Sequence, residues 1–316
     1  MRHTSWPGAA LAVVLALAGC AAPATQPAPG GTPPQAAPDS SVTPSPSPAA
    51  ASPVPTPTHT DWPGPATTGV PEGTTLTPYT GPCTIDTAGT VIDAKVVDCR
   101  LRIRTTDVVI TRSRINGNVS VREPEDGSFT ITDSEVHAGD TLDTGLGNGS
   151  FTARRVEVTG GRRSAFCEAD CLIEDSWFHA QAGDPEGQAH LSAVRMGRNT
   201  TLRGNLIVCD APRTPPESGC SAGLTGYGGT APVENNLIED NYFAAGTSTF
   251  CAYGGSSESK EFADGANRIR FVGNVFERGP NGRCGNLGTV ASFDPDAPGN
   301  EWRDNVWSDG GSVQPD

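Results

Sequence analysis

Lysine is almost missing from this chain. Of its 22 basic residues only Lys95 and Lys260 are lysines, and the rest are arginine. That bias reads as the mark of a GC-rich genome rather than of function. Apolar runs are short as well. The one from Ala9 to Ala18 falls below the roughly 20 residues that a membrane-spanning helix needs. No helix-length amphipathic stretch follows it, so an α-helical or α/β architecture is excluded. The cysteines and histidines lack the spacing of a zinc site. A Ser-His-Asp order with a Gly-x-Ser-x-Gly elbow is absent, and so is a phosphate loop.

What is present at the N-terminus is a leader. Arg2, the short apolar run and Leu17-Ala18-Gly19-Cys20 have the form of a secretory signal ending in a lipobox. Residues 1–19 are expected to be the signal peptide, and Cys20 the lipidated first residue of the mature protein. Stable anchoring generally takes two acyl chains. Residues 21–80 hold 16 of the 28 prolines and three charges, Asp39, Asp61 and Glu72. A stretch such as "TPSPSPAAASPVPTPT" buries no core, so 20–66 reads as a disordered Pro/Ala/Thr/Ser-rich linker. The folded domain is expected over 67–316, held at the extracellular face of the cell membrane by the lipid alone.

From Ile110 onward one pattern recurs: an apolar residue, two others, an anchor, one residue, and a second apolar residue. It reads I-T-R-S-R-I, I-T-D-S-E-V, A-R-R-V-E-V, I-E-D-S-W-F, L-R-G-N-L-I, I-E-D-N-Y-F, F-V-G-N-V-F and W-R-D-N-V-W. The anchors are Ser113, Ser134, Val156, Ser176, Asn205, Asn241, Asn274 and Asn305, spaced by 21, 22, 20, 29, 36, 33 and 31 residues. Self-similarity at this period marks a repeat architecture. Short strands without helices make each repeat one turn of an all-β, single-stranded parallel β-helix, right-handed as parallel crossovers are. Asn at the anchor suits a left-handed bend, and stacked Asn amides can bond in a ladder. Within it, "AHLSAVRMGRNTTLRGNLIVC" (189–209) reads as strand, turn, strand, bend, strand.

Leaving Cys20 aside, eight cysteines remain in an exported chain, which is the composition of four disulfides. Cys251 and Cys284 each lie ten residues past an anchor, which places them at the same point of successive turns and pairs them. Many connectivities stay open for the rest. Proximity alone selects Cys83 with Cys99, Cys167 with Cys171 and Cys209 with Cys220.

Net charge is −14, and residues 164–316 carry −11 of it. Such a field repels nucleic acid and other polyanions. An acidic ligand in that half needs local arginines or a bound cation.

"TGVPEGTTLTPYTG", "GTVIDAKVVDCRLRI", "VVITRSRING" and "FERGPNGRCGNLGTVASFDPDAPGNEWRDNVWSDG" resemble secreted right-handed parallel β-helix proteins of actinobacteria, within the pectate-lyase-like superfamily. The resemblance covers residues 67–316. It implies the fold; the repeat and its longer coils between Asn205 and Asn305 lead to the expectation of a polysaccharide partner, and the protein is expected to be a monomer. The resemblance leaves open a polysaccharide lyase, a glycoside hydrolase or a non-catalytic envelope and adhesion module. Members of the group carry His-x-Asp-Gly-Ile-Gln on the strand before the Asn bend. Here the matching residues are His190, Leu191, Ser192, Ala193, Val194 and Arg195, so the histidine is kept and the carboxylate is lost.

His190 and Arg195 are thus the catalytic candidates, an acid/base group beside a cation for a uronate carboxylate. Arg195 should point outward if Val194 and Met196 point in. Tyr227 and Tyr253, in "GLTGYGG" and "CAYGGSS", are substrate-binding candidates because rings with polar tips suit sugar faces. The longer repeats between Asn205 and Asn305 should wall a side groove. No cofactor is expected, although the pairs Asp184/Glu186 and Asp294/Asp296 leave room for calcium.

Overall fold

The computed structural model describes residues 62–316. The leader, Cys20 and all of the linker up to Asp61 lie outside the described residues. The described residues are all-β apart from one short 3-10 turn, Ala263–Gly265. The strands form two sheets in which every pairing between strands is parallel. A ten-stranded sheet collects the short segment after each anchor, from Thr77–Pro78 and Lys95–Val97 through Arg114–Asn116 to Val306–Trp307, in chain order. A sixteen-stranded sheet collects the rest of each repeat. This curled, parallel arrangement is compatible with a β-helix solenoid.

The flanking apolar residues explain why the repeats stack. Each has its counterpart directly beside it in the next repeat, as Ile110 with Ile131 and Phe243 with Phe276. All sixteen are fully buried except Trp302 and Trp307, which belong to the last repeat and are half-buried. Phe243 and Phe276 stack with ring centroids 4.8 Å apart and Phe129 and Phe151 at 5.2 Å, which adds to the area term for aromatic pairs. The pattern also begins one repeat earlier than the sequence suggested. Ile92 and Val97 are buried, and the Lys95 N–H donates to Ser113 Oγ at 3.0 Å.

The anchors form a buried ladder. Ser134 Oγ accepts from the Ser113 N–H, Ser176 Oγ from Val156 and Asn205 Oδ1 from Ser176, at 3.0 to 3.1 Å. In the last repeats each Asn Oδ1 accepts both the N–H and the Nδ2 of the preceding Asn, from Asn205 to Asn241, Asn274 and Asn305. The left-handed bend lies elsewhere than expected. It falls one residue earlier, at Arg112, Asp133, Arg155, Asp175, Gly204, Asp240, Gly273 and Asp304, with φ between 47° and 67°. Asp and Gly tolerate that region. The two arginines are held by carboxylates of the preceding repeat, Arg112 by Asp93 and Arg155 by Asp133. With the bend made there, the Asn side chain is freed to point inward.

Three further points differ from the sequence reading. Residues 190–209 form one continuous strand, His190–Arg203, followed by Leu206–Ile207. Asn199 turns the chain in the left-handed region (φ 53°), yet both sides of it keep their pairing to Arg163–Glu174. The folded region already includes Trp62, whose ring lies 5.2 Å from that of Tyr242, and the buried Pro63. From there the segment runs back along the body, with the Gly69 N–H on the Arg155 carbonyl and Thr77–Pro78 beside Lys95–Val97.

The third point concerns the disulfides, which join Cys83–Cys99, Cys167–Cys171, Cys209–Cys220 and Cys251–Cys284, with Cα separations of 5.6 to 6.2 Å. Cys251 and Cys284 do not occupy equal places in their repeats, however. The strand neighbour of Cys251 is the Thr289–Val290 stretch, and Cys284 reaches it from the loop just before. At the far end the tail folds back on the last repeat. Val306 and Ser312 form an antiparallel bridge, the Val313 N–H donates to the Asn305 carbonyl, and Trp302 Nε1 donates to the Val313 carbonyl at 2.7 Å. Four disulfides fit an oxidising or extracellular environment. Among the described residues no helix is long and apolar enough to cross a membrane.

Candidate functional site

The strand His190–Arg203 lies between Arg163–Glu174 and Gly219–Gly226, and its N-terminal half makes the floor of a cleft. Strand alternation buries Val194 and Met196 and turns Arg195 outward, half-buried. Across the ladder Arg195 is flanked by Phe166 and Thr225. Tyr227 directly follows Gly219–Gly226, and Tyr253, which its Gly-rich surroundings place in a loop, instead ends the strand Phe250–Tyr253. Loop residues Gln188, Ser257, Ser259 and Lys260 close the sides.

His190, Arg195, Tyr227 and Tyr253, drawn from three different repeats, thus line one cleft of about 550 Å³. His190 is exposed at its edge and also borders a second, adjoining cleft of about 340 Å³. That neighbour is lined by uncharged polar groups, among them Ser221, Thr247, Thr249 and Asn286, and by one residue of each charge, Arg213 and Glu217.

The electrostatics of the larger cleft oppose those of the chain. Arg162, Arg195 and Lys260 line it and no carboxylate does, although Glu258 and Glu261 flank Lys260 in the loop. Arg163 is buried beside them, with Nε donating to Thr144 Oγ1 at 3.2 Å. Several arginines elsewhere meet carboxylates, as Arg154 and Arg203 meet Glu174 at 2.5 and 2.9 Å. Arg162, Arg163 and Arg195 have none. Arg162 Nε, Arg163 Nη1, Arg195 Nε and Ser192 Oγ are buried without a hydrogen-bond partner.

Arg163 and Arg195 lie against aromatic rings. Arg195 lies 4.9 Å from the Tyr227 ring centre and 5.8 Å from that of Phe166, and Arg163 lies 5.6 Å from Phe166. Lys260 Nζ lies 5.8 Å from Tyr227, and Phe166 meets Tyr227 edge to face. Burial, followed by repulsion from Arg195 and Arg162, pushes the Arg163 guanidinium down to about 9. Burial and Arg162 push Arg195 down to about 10. Both remain cations at neutral pH. Burial raises the Tyr253 hydroxyl, which therefore stays protonated and able to donate.

The sequence left calcium open at the pairs Asp184/Glu186 and Asp294/Asp296. Among the described residues no group of His, Cys, Asp and Glu is arranged to hold a metal ion. Asp184 is buried, and its carboxylate accepts the backbone N–H groups of Glu186, Gln188 and Ala189 at 2.7 to 3.0 Å. Those bonds hold its pKa below the ordinary value and fix the loop that leads to His190. Asp294 Oδ1 accepts the Asp296 N–H in a local turn.

Sequence reasoning missed Arg162, Arg163 and Lys260. The signals were an arginine doublet in "GGRRS" and one of the two lysines in the chain. The fold and the cleft define an all-β repeat protein with a cationic, aromatic-lined recess. No family model, no curated protein and no solved structure matches the chain.

Proposed function

We propose that this protein binds an extracellular polysaccharide in the cleft around His190. In this reading the chain is a right-handed parallel β-helix of the pectate-lyase-like kind, and a lipid on Cys20 and the Pro-rich linker tether it outside the cell. One observation carries the proposal: His190, Arg195, Tyr227 and Tyr253 converge on one recess with a polar extension beside it. The rings offer stacking surfaces and hydroxyls, Gln188, Ser221, Ser257 and Ser259 offer hydrogen bonds, and the adjoining cleft lengthens the site for a second sugar unit. The test is a glycan array followed by calorimetry. Binding by the parent that is lost in Tyr227→Ala and Tyr253→Ala supports the reading. An array without a binder sinks it.

A lyase is the second reading, and the residue types favour it over a hydrolase. Glycoside hydrolysis by the usual route needs two carboxyl groups flanking the bond, and the cleft has none. β-Elimination needs a cation to neutralise a uronate carboxylate and a base to remove the C5 proton, roles that Arg195 and His190 fit. Unsaturated products absorbing in the ultraviolet, absent with His190→Ala, would establish it.

A further inference from the structure

We infer that the smaller, adjoining cleft takes an N-acylated amino sugar and reads its acetamido group through Leu287 and Asn286. This rests on the polysaccharide reading and adds to it the chemical class of the unit beside the main recess. The loop 277–289 presents these two residues, and it is closely tied. The Gly279 N–H donates to the Arg283 carbonyl and the Gly285 N–H to the Gly288 carbonyl, at 2.7 and 2.8 Å. Asn281 Nδ2 donates to the Gly285 and Asn286 carbonyls, and Arg283 donates to the Leu287 carbonyl. Cys284 is bridged to Cys251. The Asn286 and Leu287 N–H groups reach across to the Ser248 and Thr249 carbonyls, both at 2.9 Å.

From this fixed backbone Leu287 is held out at 64% exposure on the wall of the cleft. A lone exposed leucine needs no explanation. One whose backbone is pinned on both sides, at a cavity otherwise lined by polar groups, is a preorganised apolar contact.

The groups around it are complementary to an amide. Asn286 Nδ2 donates to the Thr247 carbonyl at 3.1 Å, and a carbonyl only accepts, so the amide is oriented with Oδ1 as its other end. The Thr247 hydroxyl donates to the Ala211 carbonyl at 2.6 Å, which leaves it an acceptor toward a ligand. Ser221 adds a hydroxyl that can donate. Arg213 and Glu217 offset each other in charge. His190 apart, no ring lines this cleft, so a sugar is not held here by stacking as at Tyr227 and Tyr253. A substituent has to carry the recognition.

An acetamido group sets an N–H, a carbonyl and a methyl on one planar frame. The N–H suits Asn286 Oδ1, the carbonyl suits the Ser221 hydroxyl, and the methyl covers Leu287. A hydroxyl in its place leaves Leu287 in water. A free ammonium meets the acceptors and also leaves Leu287 bare. A carboxylate meets acceptors where it needs donors.

The experiment compares linear oligosaccharides of N-acetylglucosamine, glucosamine and glucose, with the matching galacto series, which differ only in that substituent. Calorimetry on the parent, Leu287→Ser and Asn286→Ala gives the affinities. The parent should bind an N-acetyl form roughly tenfold or more tighter than its hydroxyl counterpart. Each variant should lose roughly threefold or more of that preference and keep its affinity for the hydroxyl form. Both side chains are exposed, and an unchanged melting temperature shows that the variants are folded. Equal affinity for the acetylated and hydroxyl forms, or tighter binding of the free amine, overturns the inference while the polysaccharide reading stands. A preference that both variants keep overturns its assignment to this cleft. Binding of none of these oligosaccharides by a protein that binds another glycan on the array overturns the inference alone, and an array without a binder overturns both.

Discussion

The side chain of Asn241 makes four hydrogen bonds in the interior. Its Oδ1 accepts from the Asn205 N–H and Nδ2, and its own Nδ2 donates to the Leu202 carbonyl and Asn274 Oδ1, all at 2.9 to 3.0 Å. Asn241→Leu keeps the volume and removes the bonds, stranding buried groups at about 1 to 3 kcal/mol each. Unfolding in urea should show a loss of at least that size. Glu135 gives a pH signature. Burial raises its carboxyl, but hydrogen bonds from Arg114 and His137 outweigh this and hold it below 4.5. A depressed carboxyl stabilises fully above its unfolded value and loses that effect as the pH falls through the folded one. Glu135→Gln should therefore be less stable than the parent at pH 7, with the difference closing below about pH 4. Melting curves across that range check it. The anchors were legible as residues because the apolar flanks bracket them. The left-handed position was not, because Arg112 and Arg155 are poor candidates until Asp93 and Asp133 are seen beside them.

At the scale of elements, the Cys251–Cys284 bridge joins a strand to the loop that precedes its neighbour across a separation of 33 residues. The chain-entropy model gives such a loop roughly 3 to 4 kcal/mol. Each repeat touches only its neighbours, so the loss should stay local. Cys284→Ser should speed hydrogen exchange over residues 241–316 and leave 100–180 near its parent rate. Uniform acceleration over both regions would show that the bridge supports the whole body. The pairing could be picked from spacing, but the spacing argument put both cysteines at one place in the repeat. The loop that carries Cys284, 277–289, is longer than the 244–249 connection of the preceding repeat, and equal counts of residues do not give equal positions when loops differ. The cleft was half legible for the same reason. His190 and Arg195 share a strand and a motif, whereas Arg162 and Lys260 meet them only through lateral stacking of repeats.

The whole molecule sets an acidic exterior against a cationic recess. If contact inside the recess dominates, affinity for a charged oligosaccharide should fall with salt according to the few charges paired there. A titration from low to physiological salt measures that slope, and a steep one would point to a broad basic surface that this chain lacks. The folded-back tail has a consequence at the same scale. A stack of parallel strands ends in a strand whose outer hydrogen-bonding side is vacant, a template for the first strand of another molecule. Here the bridge from Ser312 to Val306 and the bonds from Val313 take up that side in the opposite direction. A second copy cannot continue the parallel ladder across an antiparallel segment. Removing residues 308–316 should expose that edge and promote end-to-end association, seen as concentration-dependent growth in light scattering. Nine residues folded back on the last repeat thus occupy part of the edge that another strand would need.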